Sequence, residues 1–337
     1  AAPLAEGCES IVVGDIDGAT EWTGALGGID AVVHLAARVH VMDETAEDPL
    51  AAFREVNVEG TRRLAEEAAK AGVRRLVFIS SIKVNGEQTQ SQFEVGSLKF
   101  EDGGACEGTE AVAPPATPRS RPPATQGTKN QELSAKNSKP QTSNLKPCFS
   151  EADAPAPEDP YGQSKYEAEV ALRAIEAATG IEVVILRPPL LYGPGVKANF
   201  AKLISIVDKG IPLPLGGIKN SRSLLGLSNF ADVISRCVTD KRAAGQTFTV
   251  CDGDDVSTGE LVRRIAKALG KSPRLVNVPE GLMKLAGKLT GKSAQVDRLC
   301  GSLVIDSSHV RKTLNWEPPC SMDEELEKTV RFFRGQK

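Results

Sequence analysis

The chain has 337 residues, 40% hydrophobic and 25% charged, with a formal net charge of -3. These are ordinary globular values, enough for one large α/β domain or two smaller ones around a sizeable core. The near-neutral charge gives no electrostatic case for a nucleic acid or an anionic membrane as partner.

Seven cysteines, an odd number with no C-x-x-C pair, argue against a disulfide framework or a zinc site. They favour a reducing compartment. The three histidines, His34, His40 and His309, have no metal-ligand spacing. No apolar run approaches the roughly 18–20 residues that cross a bilayer, and no signal peptide is visible. A cytoplasmic chain without membrane insertion is therefore expected. Its start at Ala1, on a loop-like stretch, suggests a chain that begins part-way through a domain.

Residues 11–16 form a short apolar run closed by turn residues, which predicts a buried strand. Residues 30–37 predict a second, ending in small residues. A helical pattern covers 49–71, with Phe53, Val56, Thr61, Leu64 and Ala68 near helical spacing and Gly72 at a C-cap position. Residues 75–81 read as another buried strand. Strand, helix, strand at this spacing implies right-handed crossovers and a parallel sheet, so an α/β fold of the Rossmann type, doubly wound. Functional groups then collect at the strands' carboxyl ends, where Asp15, the turn at 34–37, Ser80 and Ser81 stand.

From 88 to 150 the chain turns rich in Pro, Ser, Thr, Gln, Asn and Lys and loses apolar periodicity. Such a stretch buries too little surface to offset its chain entropy, which predicts a disordered insert. Order resumes with a helix at 160–180 carrying Tyr161 and Lys165, and a strand at 183–186 followed by Arg187, Pro188 and Pro189. Helices are expected near 198–208, 229–239, 257–269, 280–290 and 323–334, with short strands around 247–251 and 303–305. The resulting organisation is a partial α/β domain at 1–87, the insert at 88–150, the rest of that domain with the helix of Tyr161 and Lys165 at 151–195, and a smaller C-terminal lobe at 196–337.

Tyr161 and Lys165 are four residues apart and so share one helix face. Alone, the pair is weak, because amphipathic helices often carry a Tyr and a Lys for packing. Ser80 and Ser81 at a strand end, His34 to Ala37 at another, and Asn57 on the helix between them add weight. An ammonium beside a phenol favours the phenolate and lowers its pKa from about 10. Tyr161 can then exchange a proton with a sugar hydroxyl while hydride passes to or from a nicotinamide. Ser81 can hold the same oxygen in line.

With these residues the chain resembles the extended short-chain dehydrogenases, the NAD-dependent epimerase/dehydratase family of nucleotide-sugar enzymes, over 11–87 and 150–333. The resemblance implies NAD or NADP as cofactor, with Asp15 and Ile16 at the adenine and Leu35, Ala36 and Ala37 along the diphosphate and ribose. It places Asn57 as a brace near the cofactor, Pro188 beside it, Ser81 and Tyr161 in catalysis, and Lys165 also on the nicotinamide ribose. Downstream, Lys197-Ala198-Asn199-Phe200, the run at 212–216 and Asn220-Ser221-Arg222-Ser223-Leu224 look like a nucleotide-sugar lobe. A UDP-sugar would then meet Ser81, Lys83, Asn199, Phe200, Pro214, Arg222 and Arg298. An amide at a helix start and a forked guanidinium suit its diphosphate. A homodimer through the helices at 49–71 and 160–179 is a family expectation.

Two features depart from the family. No G-x-x-G-x-x-G turn occurs in the sequence, so the first strand-turn-helix, which cradles the pyrophosphate, is expected to be missing. Ser81 and Tyr161 also stand 80 positions apart, an unusual separation inside a compact domain. Residues 88–150 read as foreign to the fold, with Glu87 joining almost directly onto Ser150. As to reaction, Ile82 and Lys83 stand where a 4,6-dehydratase has an acidic pair. Leu190 stands where galactose-type 4-epimerases have a sugar-contacting Asn. The expectation is a 4-keto reductase acting on a UDP-sugar for surface polysaccharide, with a 4-epimerase as the alternative and a non-catalytic remnant as a third reading.

Overall fold

The computed structural model describes residues 7–39, 48–89 and 147–335. The chain runs through α1 (Thr23–Leu26), β1 (Ala31–His34) and α2 (Pro49–Arg54), then a π-helical turn at Glu55–Glu59 leading into α3 (Gly60–Lys70) and β2 (Arg75–Ile79). A 3-10 turn at Ile82–Val84 follows, then α4 (Pro160–Thr179), β3 (Glu182–Arg187), β4 (Leu190–Tyr192), α5 (Ala198–Asp208) and β5 (Leu224–Gly226). The remainder is α6 (Leu227–Thr239), β6 (Thr247–Thr249), α7 (Thr258–Ala268), α8 (Glu280–Leu289), α9 (Ser293–Cys300), α10 (Ser308–Leu314) and α11 (Met322–Gly335).

Strands β1, β2, β3 and β6 form one parallel sheet in that order. Successive side chains alternate between its faces. Leu76, Phe78, Val183 and Ile185 bury against Leu64 and Ala68 of α3 and Leu172 of α4. Val77, Val184 and Leu186 bury the other way, against Phe230 and Val233 of α6 and Leu314 of α10. A strand covered on both faces reads as a continuous apolar run, which is why β2 and β3 are visible in the sequence. The doubly wound α/β fold is thus present. Beyond it, Tyr192, Phe200, Ile204, Leu261 and Leu326 share a separate core beneath α5, α7 and α11, and β4 pairs with β5 in a second sheet.

Three expectations need correction. Residues 11–16 carry no strand, and Val12 is 91% exposed. An apolar run becomes a sheet strand only by hydrogen-bonding to a neighbour, and this one pairs with none among the described residues. The strand expected at 303–305 is reduced to isolated bridges, Leu303 to Arg222 and Ile305 to Phe149. The insert is narrower than 88–150, because both flanks belong to the fold. The Thr89 amide donates to the Ser302 carbonyl at 2.8 Å and the Phe149 amide to the Val304 carbonyl at 2.8 Å. Phe149 is buried with Ile82, Cys251, Leu303 and Ile305. The disorder expected at 90–146 lies outside the described residues.

Candidate active site

The sheet's carboxyl edge meets the first turn of α4, and this joins residues far apart in sequence. Asp159 caps α4 by accepting from the Gly162 amide at 2.7 Å, with Pro160 at the first helical position. Gly162 lets this helix start abut the turn after β2, since a Cβ there would lie 2.8 Å from the Lys83 carbonyl oxygen. Tyr161 is thereby placed beside Ser81, whose hydroxyl is near enough to favour the phenolate. Phe53 of α2 packs edge-on to the Tyr161 ring at 6.2 Å.

Burial pushes the Tyr161 phenol up to about 12, the Asp159 carboxylate adds to this, and the Ser81 hydroxyl pulls the other way. The expectation that Lys165 lowers this pKa is therefore corrected. The Lys165 ammonium donates to the Ile79 carbonyl at 2.8 Å and lies 4.5 Å from the centre of the Phe78 ring. Desolvation of the phenol outweighs any help from that cation. The same burial brings Lys165 itself down to about 8, with Glu169 opposing.

One turn further along α4, Glu169 joins a buried network. It accepts from the Ser80 hydroxyl at 2.5 Å and forms a two-pronged pair with Arg187, at 3.0 and 2.5 Å. Arg187 also donates to Asn85 at 3.1 Å. Sequence reasoning missed Glu169. Its signal was the row Tyr161, Lys165, Glu169 at steps of four, ending in a carboxylate on a buried helix face.

Asn57 sits in the π-helical turn, 1% exposed. Its amide donates to the Arg38 carbonyl at 3.0 Å and to the Ser164 hydroxyl at 2.9 Å, and its oxygen accepts from the Arg38 amide at 2.8 Å. Asn57 therefore clips the chain after β1 to α4. With its amide spent inside the protein, it positions the site, so the expectation that it stands at the cofactor is corrected to a bracing role without ligand contact. Beyond β1, Leu35 is 62% exposed, Ala36 is exposed and Ala37 half-buried. Asp15 is exposed and Ile16 half-buried; Ile16 rests on the start of α3, where a Cβ on Gly60 would lie 2.6 Å from its Cγ2. Pro188 is buried, and its carbonyl accepts from the Ile82 amide at 3.0 Å.

The cations expected at the sugar nucleotide gather around one carboxylate. Lys83 pairs with Glu87 at 2.8 Å and with Asp159. Arg298 lies 3.8 Å from Glu87. Arg222 donates to the carbonyls of Arg298, at 2.8 Å, and Gly301, at 3.1 Å, and feels the Glu87 charge. Glu87 itself escaped the sequence reading because it borders the insert. Asn199 and Pro214 are exposed at the lobe surface. Phe200 is a correction: it is 4% exposed and stacks on Tyr192 at 5.7 Å, so its side chain belongs to the lobe core. Among the described residues no cluster of His, Cys, Asp and Glu could hold a metal.

Family models described as "Male sterility protein", an NAD-binding model, and "GDP-mannose 4,6 dehydratase" match residues 18–221 and 142–329. The chain is 42% identical to a UDP-glucose 4-epimerase of Vibrio cholerae, covering 95% of this chain and 82% of the relative. It is 23% identical to an N-acetyl-alpha-D-glucosaminyl-diphospho-ditrans,octacis-undecaprenol 4-epimerase of Escherichia coli O157:H7, over 95% and 82%. In fold it resembles the UDP-glucuronic acid 4-epimerase of Bacillus cereus solved with NAD, with a TM-score of 0.64, 18% identity and coverage of 94% and 76%.

Proposed function

The chain belongs to the NAD-dependent epimerase/dehydratase family of short-chain dehydrogenases/reductases, and from that premise we propose that it inverts C4 of a UDP-sugar by reversible oxidation and reduction. The observation that carries the reading is that α4 sets Tyr161 beside Ser81 and the buried Lys165 one turn on, at the sheet's carboxyl edge.

The residues present fit the nicotinamide and ribose end of a dinucleotide by their donor chemistry. Lys165 brings a buried ammonium with three protons, one of them donated to the Ile79 carbonyl. Tyr161 brings a hydroxyl, and the chain at Leu35, Ala36 and Ala37 opens to solvent past β1. Lys165 and Tyr161 would hold the ribose, Leu35 to Ala37 and Pro188 would flank the cofactor, and Asp15 and Ile16 would meet the adenine. Bound there, NAD or NADP would supply the hydride acceptor and donor for C4.

The protein's share is proton handling and alignment. Tyr161 takes the proton of the C4 hydroxyl as it becomes a carbonyl and gives it back on reduction. Ser81 holds that oxygen against the phenol. A phenol near 12 is neutral at pH 7, so Tyr161 becomes a base once positive charge reaches it. Lys83, Arg222 and Arg298 would take the diphosphate, with Asn199 and Pro214 along the nucleotide. The homodimer expected through α2, α3 and α4 would cover Val170, which α4 leaves 53% exposed.

The 42% identical relative supports epimerisation as the net result. One-way reduction of a 4-keto sugar is the second reading, favoured by Leu190, which stands 51% exposed on β4 in place of the epimerases' Asn. Two incubations separate them. With UDP-glucose or UDP-N-acetylglucosamine and NAD, proton NMR should show the C4 epimer without net cofactor turnover. Stoichiometric oxidation of reduced cofactor by a UDP-4-keto-6-deoxy sugar, with no epimer formed in the first incubation, would replace epimerase by reductase.

A further inference from the structure

We propose that α8 docks the protein on the surface of an anionic phospholipid membrane. Met283 and Gly287 face inward: Met283 joins the lobe core, and a Cβ on Gly287 would lie 2.8 Å from Val296 of α9. The opposite side of the same helix carries Leu282, Leu285 and Leu289, which are 57%, 53% and 80% exposed. Spaced at i, i+3 and i+7, they form one stripe about 10 Å long at 1.5 Å per residue. Lys284 and Lys288 lie beside that stripe, Lys292 follows the helix, and all three are exposed. Lys284 shares its charge with Glu280 at 2.7 Å. Residues 271–292 contain five Lys and Arg against one acidic residue, within a chain of net charge -3. This segment is therefore locally basic, with Lys271 paired to Asp208 at 2.9 Å and Lys288 and Lys292 exposed at the end of α8.

This charge pattern selects the occupant. A leucine stripe edged by lysines suits the boundary between acyl chains and anionic headgroups, where the leucines enter and the ammonium groups meet phosphates. No helix among the described residues is long and apolar enough to span a bilayer, so attachment would be peripheral. Docking would also orient the site. Helix α9 packs on α8, and Arg298 of α9 reaches Glu87, so one helix would separate the membrane from the cluster of cations assigned above to the diphosphate. The docking proposal stands on α8 alone and holds whether or not that assignment does.

The test is co-sedimentation of the full chain with vesicles of phosphatidylglycerol and phosphatidylcholine, beside vesicles of phosphatidylcholine alone. Binding should be at least ~5-fold greater on the anionic vesicles and fall as salt screens the headgroups. The L285E/L289E variant and, separately, the K284A/K288A/K292A variant should each lose this binding with unchanged circular-dichroism melts. The three leucines and the lysines are at the surface, so neither variant disturbs the core. Equal pelleting with both vesicle types, no pelleting, or full binding by L285E/L289E would overturn the proposal. So would light scattering that shows a dimer dissolved by L285E/L289E with no vesicle binding, because the stripe would then be covered by a second copy.

Discussion

Tyr161 carries the proposed proton transfer, and its neighbours define what removing the hydroxyl should do. Tyr161→Phe keeps the ring against Phe53 and deletes only the oxygen, so kcat should fall by about 10²–10⁴ with sugar-nucleotide binding retained in calorimetry. An active Phe variant would refute the assigned role. Lys165 shows the cost of keeping a functional cation in the core. At 2% exposure its charge is held against desolvation, which is why its pKa drops to about 8. Lys165→Met should therefore raise the melting temperature while abolishing turnover, the trade expected where a site is built at the expense of stability. His34 supplies a pH test. Burial first, and then the Lys165 charge, lower its pKa from 6.5 to about 4. Between those values the unfolded chain takes up a proton that the native ring refuses. Stability should be whole above pH 6.5 and decline as pH falls toward 4, by roughly 3 kcal/mol. Urea unfolding at pH 7 and pH 5 should show the loss, and His34→Gln should flatten it. Tyr161, Lys165 and Ser81 were legible because helix spacing and a strand end place them. Neither spacing nor periodicity reveals that the phenol is raised rather than lowered, because that depends on how much of the ring the fold buries.

Helix α4 organises the site at the next scale. Its N-cap Asp159, its Pro160 and the left-handed Gly180 that closes it at φ 79° are written in the sequence, so 160–180 was foreseen to within a residue. Its partnerships were not. Glu169 meets Arg187 only because α4 lies across β3, and each is about 5% exposed. Glu169→Gln would leave Arg187 buried with part of its charge unanswered, and should cost about 3–5 kcal/mol. Replacing both by Met should recover much of that in a double-mutant cycle. The helix at 49–71 teaches the same lesson, since its apolar spacing is legible and the π-helical turn within it is not. One extra residue per turn at 55–59 leaves the periodicity almost intact yet aims Asn57 at Arg38 and Ser164. Glu87, just after the 3-10 turn, occupies the cations that the diphosphate would need. Glu87→Gln should release them and lower KM for the sugar nucleotide several-fold, with the effect on KM rather than kcat. A raised KM would show that Glu87 arranges those cations instead of competing for them.

At the scale of the whole molecule, the 80 positions between Ser81 and Tyr161 ask how one fold accommodates the chain between them. The segment at 302–306 supplies the answer. Its 302 and 304 backbone groups bond Thr89 and Phe149, while Leu303 between them bonds Ser221 and Ser223 on the other side. In an extended segment, groups two residues apart point to one edge and stand about 7 Å from each other. The two flanks of 90–146 therefore return to the same edge of the same segment. Composition set the limits of the expected insert too wide at 88–150, because Thr89 and Phe149 gain their order from partners more than 150 residues away. From this geometry, replacing 90–146 by a four-residue Gly-Ser linker should leave both anchors in place. Loop-closure entropy changes slowly with length, by about 0.6 kcal/mol per doubling, and shortening the loop favours the folded state. The trimmed chain should melt at or slightly above the temperature of the full one and show the same near-ultraviolet circular dichroism. A large fall in melting temperature would mean that residues 90–146 contribute contacts of their own to the fold.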